Sequence, residues 1–307
     1  VIARTLRPLT WLLDEIVMLA VIATLLALVL PSAALAQHSN LLLAALVLFT
    51  ALGIEPRRLL TLKQRPTVLA ILSVGPFLLL TLVAWGLSHA FGGSTREGVL
   101  ALGLSSSEVA TVGLVTLAGG DTVLALGVLA GSLITAAVLG PLLVGVLSST
   151  AAHVDGLRLL GRFALVVLVP LLAGLAARAV RPAIGDHEGS YNRISALIVC
   201  ALIYAAISGL GGAGTLPTAT LGAALFLAAG AMLAMVATRA LPGIDTAAAG
   251  LPAGLRDFAV AATLATQAFG PRAATVPGIY GVLMLIAGAL AATRLRRQRL
   301  SRRKRPR

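Results

Sequence analysis

The chain alternates long apolar runs with short polar ones. A helix needs about 20 mostly apolar residues to cross the hydrocarbon core of a bilayer. Ten runs approach or exceed that length, near 16–35, 40–54, 67–90, 97–118, 121–146, 160–179, 193–213, 217–239, 247–268 and 273–293. The second is short. The fourth and ninth are interrupted at mid-run, by Ser105-Ser106-Ser107-Glu108 and by Pro252-Ala253-Gly254-Leu255-Arg256-Asp257. Three consecutive serines, or a proline followed closely by glycine, are also places where a helix breaks.

The pattern predicts an all-α, polytopic membrane protein of about ten transmembrane helices. Because the interrupted spans are the fourth of each five, it further predicts two five-helix repeats. They are inverted relative to each other, since five is odd, and their two broken helices cross. The expected organisation is one transmembrane domain over residues 1–293, with repeat one at about 10–150 and repeat two at about 156–293. A basic cytoplasmic tail follows at 294–307.

Composition agrees: 58% of the 307 residues are hydrophobic and 11% charged, against about 25% charged in a soluble domain. The formal charge of +13 is concentrated in the tail. It therefore argues for orientation, and for anionic lipids as partners of the tail, rather than for nucleic acid. With ten spans and the N-terminus inside, nineteen of the 24 Lys and Arg residues fall on the cytoplasmic side and four outside, with Arg256 in the membrane. This predicts a multi-pass plasma-membrane protein with both termini cytoplasmic. Ala34-Leu35-Ala36 is similar to a signal-peptidase site, but Asp14 and Glu15 and the length of the apolar run speak against cleavage. Cys200 is the only cysteine, and the four histidines are scattered, so neither a disulfide nor a metal site is expected. No cofactor is expected either.

A charge at bilayer depth costs about 3 kcal/mol on insertion scales, and persists where it is paired or functional. The candidate substrate-binding or coupling residues are therefore Ser106, Ser107, Glu108, Thr111, Arg256, Asp257 and Thr263. Competing structural readings stay open. Glu108 can cap the second half of its helix, and the serines can satisfy backbone groups freed by the break. Arg256 can belong to a static ion pair. On a regular helix Asp257 points about 100° from Arg256, which leaves Glu108 as the expected partner if the breaks cross. Asp121, after Gly119-Gly120, reads as an N-cap. Thr263, Thr266 and Gln267 share a helix face that can line a cavity or bond to a neighbouring helix.

Three stretches resemble the bile acid:sodium symporter family. They are Ala51–Ile54 with Arg65-Pro66 and Val83–Leu87; Ser106–Pro141, with Leu117-Ala118-Gly119-Gly120-Asp121; and Gly254–Ala262. The resemblance implies a transporter fold with broken crossing helices. It also implies a sodium site, but the positions that match the family's ligands carry Pro76, Val112, Ala125, Leu129, Pro252 and Arg256, and only Thr111 keeps a side-chain oxygen. Sodium binding is therefore not expected. The leading expectation is a secondary transporter of an organic anion or other small solute by alternating access. The alternative is a non-transporting receptor or sensor on the same scaffold. An enzyme is not expected: no nucleotide-binding loop or His-Glu-x-x-His occurs, and Ala118-Gly119-Gly120-Asp121 departs from the Gly-x-Gly-Asp of aspartyl intramembrane proteases. Solute identity, coupling ion and oligomeric state are not encoded in any motif.

Overall fold

A computed structural model describes residues 18–32, 35, 37–56, 62, 65–147, 156–208 and 215–303. Several features named above lie outside these residues: Asp14, Glu15, Ala34 and Ala36 of the cleavage motif, and the end of the tail at 304–307.

The described residues form helices and connecting turns. In chain order they are α1 (Met18–Val29), α2 (Ser39–Gly53), α3 (Pro66–Ser88), α4 (Gly93–Gly103), α5 (Thr111–Leu117) and α6 (Thr122–Leu147). Then follow α7 (Arg158–Val180), α8 (Glu188–Ser208), α9 (Leu216–Ala240), α10 (Thr246–Gly254), α11 (Phe258–Phe269) and α12 (Thr275–Arg303). Among the described residues, six helices are long and apolar enough to cross a membrane, with α1, α2 and α11 as shorter apolar helices. The two polar interruptions divide their spans into the short pairs α4–α5 and α10–α11. The first expected span, 16–35, is described as a helix only over Met18–Val29.

Local sequence explains the irregularities. α7 contains a π-helical turn at Ala164–Leu168, immediately before Pro170. Proline has no N–H to donate and its ring crowds the preceding turn, so the ladder widens there. α12 runs on through Arg294 to Arg303, so much of the basic segment extends the last helix.

The molecule is apolar outside and polar at its centre. Val29, Leu82, Leu172, Leu197 and Met232 are exposed, whereas Ser105, Ser106, Ser107, Glu108, Arg256 and Asp257 are buried. Exposed apolar surface on this scale needs an apolar solvent, which lipid supplies. α3 packs against α4 and α6, and α9 packs against α10 and α12, so each interrupted pair is flanked by long helices. α2 packs on α7 and α8.

Candidate functional site

The two interruptions meet. α4 ends at Gly103 and α5 starts at Thr111; α10 ends at Gly254 and α11 starts at Phe258. Where the two segments meet the backbone is extended, with Leu255 at φ −106°, ψ 128°. Ser107 and Arg256 face each other as an isolated antiparallel β-bridge. The Glu108 N–H donates to the Leu255 carbonyl at 3.1 Å, and the Asp257 N–H donates to the Ser106 carbonyl at 2.9 Å. Each break thereby satisfies groups that the other has freed, as a dry interior requires.

Long helices satisfy more of them. The Ser107 N–H donates to Ser132 Oγ of α6 at 2.7 Å, and the Arg256 N–H donates to the Tyr280 hydroxyl of α12 at 2.9 Å. Ser107 Oγ donates to the Pro252 carbonyl at 2.9 Å, and Thr81 Oγ1 of α3 to the Gly103 carbonyl at 2.8 Å. Both first half-helices end in a glycine that touches backbone. A Cβ on Gly103 would stand 2.9 Å from the Leu80 carbonyl oxygen, and one on Gly254 would stand 2.6 Å from that of Gly230. Ser132, Tyr280, Thr81 and Gly230 have no place among the residues the sequence singled out. A lone hydroxyl or glycine in an apolar helix is too common to be a signal until its partner is known.

Asp257 caps α11, while Glu108 bonds into the turn that leads into α5. Asp257 Oδ1 accepts from the N–H groups of Ala259 and Val260 at 2.9 and 3.0 Å, and Glu108 Oε1 accepts from Ala110 N–H at 3.2 Å. In Asp257, capping and burial at the crossing therefore coexist. Each carboxylate keeps one oxygen without a partner, Glu108 Oε2 and Asp257 Oδ2, and the two repel each other.

Arg256 differs from expectation. It is fully buried, yet it forms no ion pair with Glu108 or Asp257. Its Nη1 donates to the Ser105 carbonyl at 3.4 Å, and Nε and Nη2 have no partner. The reason is the local geometry. In extended backbone successive side chains alternate faces, and bridged residues share one. Ser107 and Arg256 therefore lie on one face of the crossing, with Glu108 and Asp257 on the other. Residue-to-residue rotation is about 180° here, not the 100° of a helix.

The remaining candidates divide. Thr111 Oγ1 donates to the Glu108 carbonyl at 2.5 Å and so supports the break. Ser106 Oγ and Thr263 Oγ1 are buried without a hydrogen-bond partner. Thr266 bonds back to its own helix at Ala262, while Gln267 Nε2 donates to Asn40 Oδ1 of α2 at 2.6 Å. Asp121 caps α6 through the Leu124 N–H at 3.0 Å. Among the described residues no three His, Cys, Asp or Glu side chains are grouped to hold a metal ion.

Comparison with known proteins gives one match and one negative. A search of the curated proteins finds no match. The family described as the SBF-like CPA transporter family matches residues 14–296, nearly the whole chain. The chain belongs to this family of bile acid:sodium symporter-like membrane transporters, as the resemblance in three of its stretches implies.

Proposed function

We propose that this member of the SBF-like CPA transporter family is a secondary transporter. It would move an organic anion or other small solute by alternating access around the crossing of α4–α5 with α10–α11. The observation that carries the reading is the two-faced crossing. On one face a buried guanidinium keeps two nitrogens unpartnered; on the other, two carboxylates each keep one free oxygen. Unpaired buried charge costs several kcal/mol, roughly 3–5 when one partner of a pair is removed, and it is retained where a ligand completes it. Arg256 offers a forked donor suited to a carboxylate or similar group on the solute. Glu108 and Asp257 can share a proton, whose uptake and release would couple transport to a pH gradient.

The rocking motion this reading needs would follow from an inverted repeat, which the spacing of the elements supports. The interval from Ser107 to Arg256 is 149 positions. The same interval carries Ser39, the start of α2, onto Glu188, the start of α8. It carries Pro66 to the residue before Leu216, and Thr122 onto Pro271, where the last candidate span begins. The backbone partners repeat as well: each bridge residue donates its N–H to a hydroxyl of the next long helix, Ser132 or Tyr280.

Reconstitution in proteoliposomes tests the proposal. Uptake of radiolabelled organic acids should depend on a pH gradient and fall at least tenfold in Arg256→Gln. Saturable binding of a solute with no flux under any gradient would instead establish the receptor reading. Absence of both binding and flux across organic anions would overturn the assignment of Arg256.

A further inference from the structure

Three helices begin around one cavity on the face opposite the basic tail. They are α4 at Gly93, α9 at Leu216, and the last helix, which opens with a 3-10 turn at Pro271–Ala274 and continues as α12 from Thr275. The cavity, of about 70 Å³, is lined by Ser94 and Thr95, by Thr215 before α9, by Arg272 and Thr275, and by two apolar residues. A helix start presents N–H groups without intrahelical acceptors and the positive end of the backbone dipole. Three such starts, four hydroxyls and a guanidinium line this space, and among the described residues no carboxylate does.

Two side chains point to a ligand independently of the helix ends. Thr275 is 4% exposed, lines the cavity, and its hydroxyl has no hydrogen-bond partner among the described residues. Thr95 is 6% exposed, and its hydroxyl reaches only Thr218 Oγ1, at 3.5 Å, the limit of a hydrogen bond. Arg272 is exposed and forms no ion pair among the described residues.

We propose that this cavity is a binding site for a small oxyanion group, a carboxylate or phosphate, held by Arg272, Thr275 and the three helix starts. The lining sets the class: hydroxyls and a guanidinium suit an oxyanion, and a cavity of about 70 Å³ leaves room for a small one. The site lies away from the crossing, and its occupancy does not depend on whether the crossing carries transport. The headgroup can belong to a free solute or to a lipid, and the chemistry is the same.

Thermal unfolding of the full chain in neutral detergent provides the test. Inorganic phosphate and acetate are each titrated against chloride at matched ionic strength. Either anion should raise the transition temperature saturably, and Arg272→Gln and Thr275→Val should each weaken the apparent affinity by roughly tenfold, the loss of about one charge-assisted hydrogen bond. Arg239→Gln, at the far end of α9, should leave it unchanged. In nanodiscs, stabilisation by phosphatidylglycerol over phosphatidylcholine that disappears in Arg272→Gln would identify a lipid headgroup as the source. The proposal is overturned if neither free anions nor phosphatidylglycerol stabilise the protein. It is equally overturned if both variants respond as the parent does.

Discussion

Arg256 shows how far a single side chain depends on the backbone conformation beneath it. Read as a helix, the ninth span sets Glu108 against Arg256. As an extended bridge it sets Glu108 with Asp257 and leaves Arg256 beside Ser107 and the Ser105 carbonyl. A double-mutant cycle distinguishes the two arrangements. Glu108→Gln combined with Asp257→Asn should couple clearly, because each change relieves repulsion felt by the other. Glu108→Gln combined with Arg256→Gln should couple less. Chemical denaturation in detergent measures both cycles, and the reverse order would place Arg256 against Glu108 after all. Tyr280→Phe bears on the backbone instead. It strips the Arg256 N–H of its acceptor, and a buried donor left bare costs about 1–3 kcal/mol, so the midpoint should fall accordingly.

At the scale of elements, the half-helices are held where they lie flat against long neighbours. Gly254 lets α10 touch α9 at Gly230, with backbone on both sides and no flexible side chain to yield. Gly254→Val should therefore cost several kcal/mol or prevent folding, whereas Gly189→Ala, where an added Cβ meets nothing, should be mild. Expression and thermal unfolding compare the two.

The tail-side end of α10 is tied down differently. Asp245 caps it through the Ala248 N–H at 2.9 Å and pairs with Arg299 of α12, whose Nη1 also donates to the Gly119 carbonyl. Partial burial raises the Asp245 carboxyl, but the capping N–H and the Arg299 guanidinium outweigh it and hold the group below the usual carboxylate range. A carboxyl with a depressed folded-state value binds its proton more readily when unfolded. Its stabilisation is therefore complete at neutral pH and fades as the pH falls below about 4. Asp245→Asn should flatten that part of the stability profile, measured as transition temperature against pH.

For the whole molecule, the proposed transport raises the question of which gradient would drive it. From the resemblance we expect the family's sodium-ligand positions to fall on Pro76, Val112, Ala125, Leu129, Pro252 and Arg256, with only Thr111 keeping the side-chain oxygen a hard cation needs. Flux in proteoliposomes should accordingly be indifferent to replacing sodium by choline or potassium. A saturable requirement for sodium, together with thermal stabilisation by that ion alone, would mean that backbone carbonyls rebuild a site. The tail-side ties of Arg299 and the Asp257–Ser106 crossing bond lie on the same two half-helices, α10 and α11. Any rocking of these elements must exchange one set of contacts for another.

Hydrophobic runs, helix breakers and caps are properties of neighbours in the chain. The sequence alone therefore determined the membrane class, the two interruptions and the capping role of Asp121. Family resemblance was legible in the order of short motifs. What tertiary structure decided is everything that joins positions far apart: the Ser107–Arg256 bridge, the hydroxyls of Ser132 and Tyr280 that receive its N–H groups, and the close contact of Gly230 with Gly254. It also decided which face Arg256 occupies. A side chain's direction follows from its backbone conformation, and the extended conformation at the crossing exists only because a second broken helix supplies its hydrogen bonds.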